Sequence, residues 1–302
     1  MLIVKDRNIV SHWQQNDNTI LIAPSNKGYK KDGSNVDDKI IEEYKRNIGV
    51  KSISKSFNVS TKYIYKVLKK ANVTKNASEC KTQYNIIYPD FFKSIESEEQ
   101  AYYLGLLYAD GWLDSKRSQI AISLHENDVD ILKKFNSLIF EDKPLYYYKP
   151  KGNKGGQYRF TITNKKMYND SLNLGLMPNK TFKLKFPNFI SDEYMRHFIR
   201  GYFDGDGCIG NYKRLKKDNK YRYVSTFSVI GTYDLLDGIS TYLYNIANIN
   251  KPIIKVKHKD RPQLVYFLSY SSKKDVLLIR DILYNDANYF LKRKFDKFYS
   301  II

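Results

Sequence analysis

Two segments of the chain share one pattern, and this pattern restricts the fold more than any other feature of the sequence. They read AYYLGLLYADG over residues 101–111 and HFIRGYFDGDG over residues 197–207. Small residues recur four positions apart in each, so on a helix they would lie on one face. They are Gly105 and Ala109 in the first segment, and Gly201 and Gly205 in the second. Such small side chains let two helices approach more closely than the usual distance of about 8–10 Å between axes, so the pattern predicts two helices packed along these faces.

The residues before each segment favour the start of a helix. Residues 97–100 read Ser-Glu-Glu-Gln, the sequence of a capping box. Residues 191–193 read Ser-Asp-Glu, which would place two acids in a first helical turn. Both segments are therefore predicted to begin as helices.

An aspartate stands one residue beyond each small-residue face: Asp110 in the first segment and Asp206 in the second. If the helices pack along those faces, the two carboxylates meet at a shared end. Their charges repel unless a cation lies between them. Carboxylates are hard oxygen ligands that suit Mg²⁺, so the sequence predicts a divalent metal site there.

Other interpretations of these segments fit less well. A single helix that ends in Asp-Gly needs no special explanation, because glycine is a common residue at the C-terminal end of helices. Two such segments in one basic chain call for a further explanation. An EF-hand would need an oxygen ligand where Cys208 stands and a glutamate where Leu215 stands. No Gly-Lys-Ser or Gly-Lys-Thr follows to make a phosphate loop, and the glycines of residues 152–156 indicate a hairpin turn.

The charge of the chain points to a polyanionic partner. Lys and Arg number 51 against 32 Asp and Glu, which gives a net charge of +19. Basic residues are spread along the chain and no stretch of about 18 apolar residues occurs, so nucleic acid is favoured over a membrane surface. The first ten residues do not resemble a signal peptide, and Cys80 and Cys208 are too few for a disulfide framework. We therefore expect an intracellular protein.

The chain is predicted to contain five segments. Residues 1–35 are unassigned and end in a linker, residues 36–75 form a helix-turn-helix DNA-binding module, and residues 76–94 form a second linker. In the module, Ser60 is predicted to cap a helix over residues 61–71 that presents Lys62, Tyr65 and Lys69 outward. A small helical bundle with solvated lysines is the alternative. Residues 95–190 and 191–302 are predicted to be two copies of one repeat.

The two repeats match element by element. In each, the opening helix is followed by alternating, strand-like segments and two further helices. Strands are predicted over residues 118–124, 145–149 and 157–163 in the first copy, and 224–230, 253–258 and 264–270 in the second. Helices are predicted over residues 128–138 and 166–174, and over 233–247 and 274–283.

The paired segments resemble the signature motif of the LAGLIDADG homing endonuclease family, of the single-chain type with two motifs. The segment over residues 178–187, PNKTFKLKFP, is also typical of that family. The resemblance implies an α+β fold in which an αββαββα domain is duplicated about a pseudo-twofold axis. The family's motif carries two aspartates, of which the last is the ligand. The first repeat has Tyr108 where the second has Asp204, so Asp204 is interpreted as structural or supporting.

The resemblance also implies an activity. Two or more Mg²⁺ ions, held by Asp110 and Asp206 with the carbonyls of Ala109 and Gly205, would support hydrolysis of both DNA strands across the minor groove, leaving short 3′ overhangs. A basic residue from each half would lie near the metals. The matching positions are Lys180 and Lys294, which could instead be ordinary contacts to the phosphate backbone.

In this family each half supplies a sheet that lies in the major groove of double-stranded DNA. By alternation, we predict DNA-facing side chains at these positions: Gln119, Ser123, Gln157, Arg159 and Thr161 in the first sheet, and Lys255 and Lys257 in the second. Two motifs in one chain imply a monomer with a long, asymmetric target. The alternatives are a regulator without catalytic activity and an intron maturase of the same fold. The four histidines, at positions 12, 125, 197 and 258, do not have the spacing of an HNH or zinc site.

Overall fold

The computed structural model describes residues 33–46, 48–73, 84–149, 155–215, 219–258 and 261–301. The chain divides into two compact units, residues 1–83 and residues 84–302. The predicted segment 1–35 and the glycine-rich turn at residues 152–156 lie largely outside the described residues. No helix among those described is long and apolar enough to cross a lipid bilayer.

Three short helices form the described part of the smaller unit: α1 (Gly33–Lys45), α2 (Val50–Phe57) and α3 (Thr61–Lys70). Asn58, in the left-handed conformation at φ 49°, ends α2, and the Ser60 hydroxyl caps α3 by accepting from the Tyr63 amide at 3.1 Å. Apolar side chains spaced three or four residues apart meet between the helices. The buried ones are Ile40, Ile53, Ile64, Val67 and Leu68.

The larger unit contains two successive αββαββα repeats. The first comprises α4 (Glu98–Asp110), β1 (Gly111–Asp114), β2 (Gln119–His125), α5 (Val129–Ile139), β3 (Tyr146–Tyr148), β4 (Gln157–Thr163) and α6 (Lys165–Asn173). The second comprises α7 (Asp192–Asp206), β5 (Gly207–Leu215), β6 (Tyr221–Gly231), α8 (Tyr233–Ala247), β7 (Ile254–His258), β8 (Arg261–Tyr270) and α9 (Lys273–Tyr284), and α10 (Lys292–Tyr299) follows it.

The strand order shows the duplication directly. One sheet has the order β1-β2-β4-β3 and the other β5-β6-β8-β7, with every pair antiparallel. Helices cover one face of each sheet, where apolar residues alternate along the strands. Ile120, Ile122 and Phe160 are buried on that face of the first sheet, and Phe227, Val229 and Leu268 on that of the second. The predicted α+β fold with duplicated repeats is confirmed.

The predicted linker over residues 76–94 does not extend that far. Residues 84–94 belong to the larger unit, where Phe91 and Phe92 are fully buried and Ile86 forms an isolated bridge to Phe140. These apolar residues show no helical or strand period, which is why their stretch resembled a linker. Their burial in the common core of both repeats extends the unit towards the N-terminus.

Candidate active site

Helices α4 and α7 lie side by side in the same direction, in contact along the small residues. A Cβ atom on Gly105 would collide with the carbonyl oxygen of Phe198, and one on Gly201 with that of Tyr102. A Cβ on Gly205 would overlap the methyl group of Ala109. Glycine is required at Gly105 and Gly201 because backbone meets backbone there, and at Gly205 because the Ala109 methyl group fills the space.

Hydrogen bonds at the start of α4 set where the helix begins. The Ser97 hydroxyl accepts from the Gln100 amide at 3.4 Å. The side chain of Gln100 accepts in return from the Glu96 amide at 2.9 Å, one residue before the position that a capping box would use. The helix start is thereby fixed at one end, and Asp110 is the last helical residue at the other.

Asp110 and Asp206 end the two helices at the same edge of the interface. Oδ2 of Asp110 lies 3.0 Å from the position that a Cβ on Gly205 would take. Each aspartate is open to solvent on one side, but surrounding protein desolvates its carboxyl group. This desolvation, together with the negative charge of Asp206, raises the pKa of Asp110 to about 6. Desolvation also raises the pKa of Asp206, and the charges of Lys180 and Lys294 oppose that rise.

The two predicted lysines lie beside these aspartates. Lys180, in a short 3-10 turn after α6, donates from Nζ to the carbonyl oxygen of Ala109 at 2.6 Å. Lys294, in the first turn of α10, donates to the carbonyl oxygens of Phe203 and, at 2.7 Å, Gly207. Burial lowers the pKa of Lys294 to about 8 and also lowers that of Lys180. Two cationic side chains and two carboxylates thus converge at the shared end of α4 and α7.

The oxygen atoms at this site fit Mg²⁺ that is completed by solvent and substrate. No group of three or more His, Cys, Asp and Glu side chains that could hold a metal is found among the described residues. The protein therefore offers two carboxylates together with backbone carbonyls. Mg²⁺ is commonly bound through one or two carboxylates with water and phosphate oxygens as the other ligands. The Ala109 carbonyl, predicted as a ligand, here accepts a hydrogen bond from Lys180.

Asp204 and Tyr108, at matching positions, hold the segments that lead to the lysines. The fully buried Asp204 carboxylate accepts from the hydroxyls of Tyr102 at 2.8 Å and Tyr284 at 2.6 Å, and from the Leu291 amide at 2.7 Å. Leu291 is the N-cap residue of α10, which carries Lys294. In the first repeat, the Tyr108 hydroxyl donates to the Leu174 carbonyl at 2.7 Å, just after α6. Different side chains therefore anchor equivalent segments.

A model of the LAGLIDADG-like domain family matches residues 193–283. Residues 193–283, which lie within the second repeat, are a LAGLIDADG-like domain. The first repeat, which that match does not include, has the same order of helices and strands. No curated protein sequence matches the chain.

Three DNA-bound LAGLIDADG meganucleases illustrate the similarity to solved structures. I-AabMI, bound to uncleaved DNA, is 14% identical with a TM-score of 0.44 and is aligned over 66% of this chain and 87% of its own. I-CpaMI, bound to uncleaved DNA, is 14% identical with a TM-score of 0.45 over 68% and 90%. I-SmaMI, bound to uncleavable DNA, is 11% identical with a TM-score of 0.45 over 68% and 90%.

In the first repeat, the sheet face away from the helices carries the side chains predicted to face DNA. Strand register places Ser123 opposite Arg159, Gln157 opposite His125, and Gln119 opposite Thr163, all on this open face. Thr161 shares the face but is only 9% exposed, since Lys143 donates to its carbonyl and, at 3.2 Å, to its hydroxyl. Four of the five predicted side chains are thus accessible, and Thr161 is mostly covered.

The predicted face of Lys255 in the second repeat is wrong. Lys255 pairs with Tyr266, which lies on the same side of β8 as the buried Leu268. The side chain of Lys255 is exposed, but it lies on the side of the sheet against which α8 packs. Ile254 and Val256 lie on the open face instead, and Ile254 is 57% exposed. The prediction assumed that the apolar Ile254 and Val256 point to the core. In this edge strand, however, pairing with β8 decides which side chains lie on which face. The side chain of Lys257 lies outside the described part of the chain.

In the smaller unit, Lys62, Tyr65 and Lys69 lie exposed along α3, on the side opposite to the buried Ile64 and Leu68. Together with Ser60 and Lys66 they line a shallow surface groove. The helix thus presents four cationic side chains, those of Lys62, Lys66, Lys69 and Lys70, and the ring of Tyr65 to solvent. Their predicted role in DNA binding stays a prediction.

Proposed function

We propose that this protein is a site-specific DNA endonuclease that hydrolyses both strands of a duplex with divalent metal ions. The observation that carries the proposal is the convergence of Asp110, Asp206, Lys180 and Lys294 at the shared end of α4 and α7. A structural role alone would favour neutral side chains, because two desolvated carboxylates repel each other. A phosphodiester with its metal ions would relieve that repulsion.

The wider charge of the molecule supports a duplex as the substrate. The net charge of +19 favours binding to a polyanion. Each repeat presents one helix-free sheet face, and the major groove is wide enough to admit β-strands. Since the two repeats differ in sequence outside their shared motif, one chain could bind a long asymmetric target as a monomer. The exposed face of α3 would add a further contact to DNA.

The side chains of the site have separate roles in the proposed reaction. Asp110 and Asp206 would hold the metal ions, and the ammonium groups of Lys180 and Lys294 would stabilise negative charge that develops on the phosphate. Bound Mg²⁺ would lower the pKa of a water ligand and would also stabilise the leaving oxygen. A covalent enzyme intermediate is not required, because water is the nucleophile.

The proposal is tested by selecting cleaved sites from a randomised duplex library in Mg²⁺ with the full chain. On the selected site, Asp110→Asn and Asp206→Asn should each abolish double-strand cleavage while specific binding stays nearly intact. Asp192→Asn, an acid in the first turn of α7 at the opposite end of the same helix, is the matched control and should cut normally. Full cleavage by either site variant would contradict the catalytic assignment. Specific binding by wild type without any cleavage would instead indicate a DNA-binding regulator.

A further inference from the structure

The guanidinium group of Arg159 is held in place on the open face of the first sheet. Its Cζ atom lies 4.3 Å from the ring centroid of Tyr148 and 4.8 Å from that of Trp112. Its Nε donates to the Ser123 hydroxyl at 3.1 Å, and Nη1 to the Tyr148 hydroxyl at 3.3 Å. Two aromatic rings and two hydrogen bonds therefore fix the position of one cation.

The strand register explains how these groups meet. Ser123 on β2 lies directly opposite Arg159 on β4. On β3, Tyr146 is the residue opposite Arg159, and Tyr148, two residues further along, is its diagonal neighbour on the same face. Trp112 on β1 pairs with Ala121, which places its ring on the same face. All four strands of the sheet thus contribute one residue to this group, which we call the arginine clamp: Trp112, Ser123, Tyr148 and Arg159.

The arginine clamp leaves the end of the guanidinium fork free. Among the described residues, no ion pair includes Arg159, and no acceptor is found for its Nη2 group. Trp112 and Tyr148 remain 37% and 44% exposed, so the clamp lies at the surface. A cation that is already ordered loses less side-chain freedom on binding, and its planar fork presents two parallel N–H donors.

The acceptors that match such a fork in a major groove are O6 and N7 of guanine. A phosphate also accepts two hydrogen bonds from arginine, but phosphates line the edges of the groove. Arg159 belongs to β4, an inner strand with β2 on one side and β3 on the other, and it is only partly exposed between two rings. This inner position favours contact with a base edge.

We propose that Arg159 recognises a guanine in the half-site bound by the first repeat, with Trp112, Ser123 and Tyr148 as positioning residues. The assignment rests on the proposed function, because it requires the open sheet face to lie in a major groove. It goes further in naming the base and the residue that selects it.

Binding alone should be measured, so that cleavage does not affect the result. Full-length protein with Asp110→Asn and Asp206→Asn would be used to select bound sites from a randomised duplex library. We expect one position of the first half-site to require guanine, with roughly a ten- to hundredfold preference over other bases. Adding Arg159→Gln should change the preferred base at that position to adenine, whose N6 and N7 suit glutamine.

Two further variants separate base recognition from a structural role of the clamp. Tyr148→Phe keeps the ring but removes one hydrogen bond, and it should lower the preference for guanine without changing the base. Arg159→Lys keeps the charge but lacks the fork, so guanine should be preferred only weakly. Arg117→Gln, in the exposed turn after β1, is the control and should leave the base preferences unchanged.

The outcomes distinguish this inference from the proposed function. A protein that selects no preferred site would overturn both. A preferred site whose base composition is unchanged by Arg159→Gln, or whose affinity falls equally for every base, would overturn only the guanine assignment. Thermal unfolding of each variant would show that it is folded, and loss of fold in Arg159→Gln would make Arg159→Lys and Tyr148→Phe the deciding variants.

Discussion

Lys180 and Lys294 occupy matching places in the two repeats but make different contacts. Lys294 is buried and donates to two carbonyls that flank the end of α7. Lys180 is only partly buried and donates to one carbonyl, that of Ala109. The two halves of the site are thus similar in residue type and different in how firmly each ammonium is held.

Replacing each lysine with methionine would keep much of the side-chain stem and remove the charge. For both variants we expect cleavage to slow much more than affinity falls. Lys294→Met should also lower the free energy of unfolding by about 1–3 kcal/mol, because it removes two hydrogen bonds from a buried side chain, whereas Lys180→Met removes one and should cost less. Urea unfolding, duplex affinity and cleavage rate would be measured for both. If affinity and cleavage fell in proportion, the lysines would be backbone contacts only.

His197 provides a pH-dependent contribution to stability at a distance from the site. It is 5% exposed, and its Nδ1 lies 3.7 Å from Glu98 without a hydrogen bond. Burial, together with the charges of Arg200 and Arg196, lowers its pKa to about 4 against the opposing charge of Glu98. Folded His197 therefore stays neutral under conditions in which an unfolded histidine, with a pKa of about 6.5, takes up a proton.

The sign of the effect follows from this lowered pKa. The stabilising contribution of neutral His197 is fully present above about pH 6.5 and is lost as the pH falls towards 4. Since each unit of pKa shift corresponds to about 1.4 kcal/mol, the total loss is a few kcal/mol. Wild type should therefore lose more stability between pH 7.5 and pH 5 than His197→Gln, which does not titrate. Urea unfolding at several pH values measures the difference. Equal pH slopes for the two proteins would show that folding does not lower the pKa of His197.

The candidate catalytic residues could be located from the sequence, but their hydrogen bonds could not. Asp110 and Asp206 were identifiable because each follows a pair of small residues spaced four apart. The partners of Asp204 come from α4, α9 and the residue before α10, so they become adjacent only in the folded chain. The Trp112 ring against Arg159 likewise depends on strand pairing that alternation alone does not determine.

At the scale of elements, the contact between α4 and α7 depends on glycine. Gly201→Ala would place a methyl group against the Tyr102 carbonyl, and the two backbones would have to separate. We expect a loss of about 1–3 kcal/mol in unfolding free energy, as in other overpacked cores. Gly231→Ala meets side-chain atoms of Tyr202 and Leu236 and no backbone, so it should cost less. Urea unfolding compares the two variants, and equal losses would contradict a special requirement at the helix contact.

Elements with a clear period were predictable, and those without one were not. The strand at residues 157–163 and the helix at residues 233–247 have the predicted bounds. The first strand of each sheet begins at Gly111 or Gly207. β1 has only four residues and β5 is mostly polar, so neither shows alternating apolar residues, and α10 is too short and polar to show a helical period. The face of Lys255 was misassigned because an edge strand takes its register from its neighbour rather than from its own apolar residues.

At the scale of the whole molecule, the two repeats share one continuous core. Buried residues of both halves form a single cluster in which α4 and α7 lie at the centre. The buried Arg200 of α7 ties the halves further, since it pairs with Glu98 of α4 at 2.6 Å and donates to the carbonyls of Leu283 and Tyr289. Neither repeat would be stable alone, because each would expose its helix interface to water.

The smaller unit, in contrast, has a hydrophobic core of its own, and none of the proposed catalytic residues lies in it. A fragment of residues 84–302 retains the complete core of the larger unit, so it should fold and still cut the central part of the selected site. If Lys62, Tyr65 and Lys69 contact DNA beyond the two sheets, the fragment should bind more weakly and protect a shorter footprint. A second DNA-binding module tethered to the first raises the local concentration of the DNA and can extend the recognised sequence.

Footprinting of full-length protein and fragment on the same duplex would measure both effects. The triple variant Lys62→Ala, Tyr65→Ala, Lys69→Ala is the matched control, because it changes only the exposed face of α3 and should shorten the footprint in the same way. An unchanged footprint in both would assign the smaller unit to another partner, and loss of cleavage by a folded fragment would show that the unit helps to build the active complex.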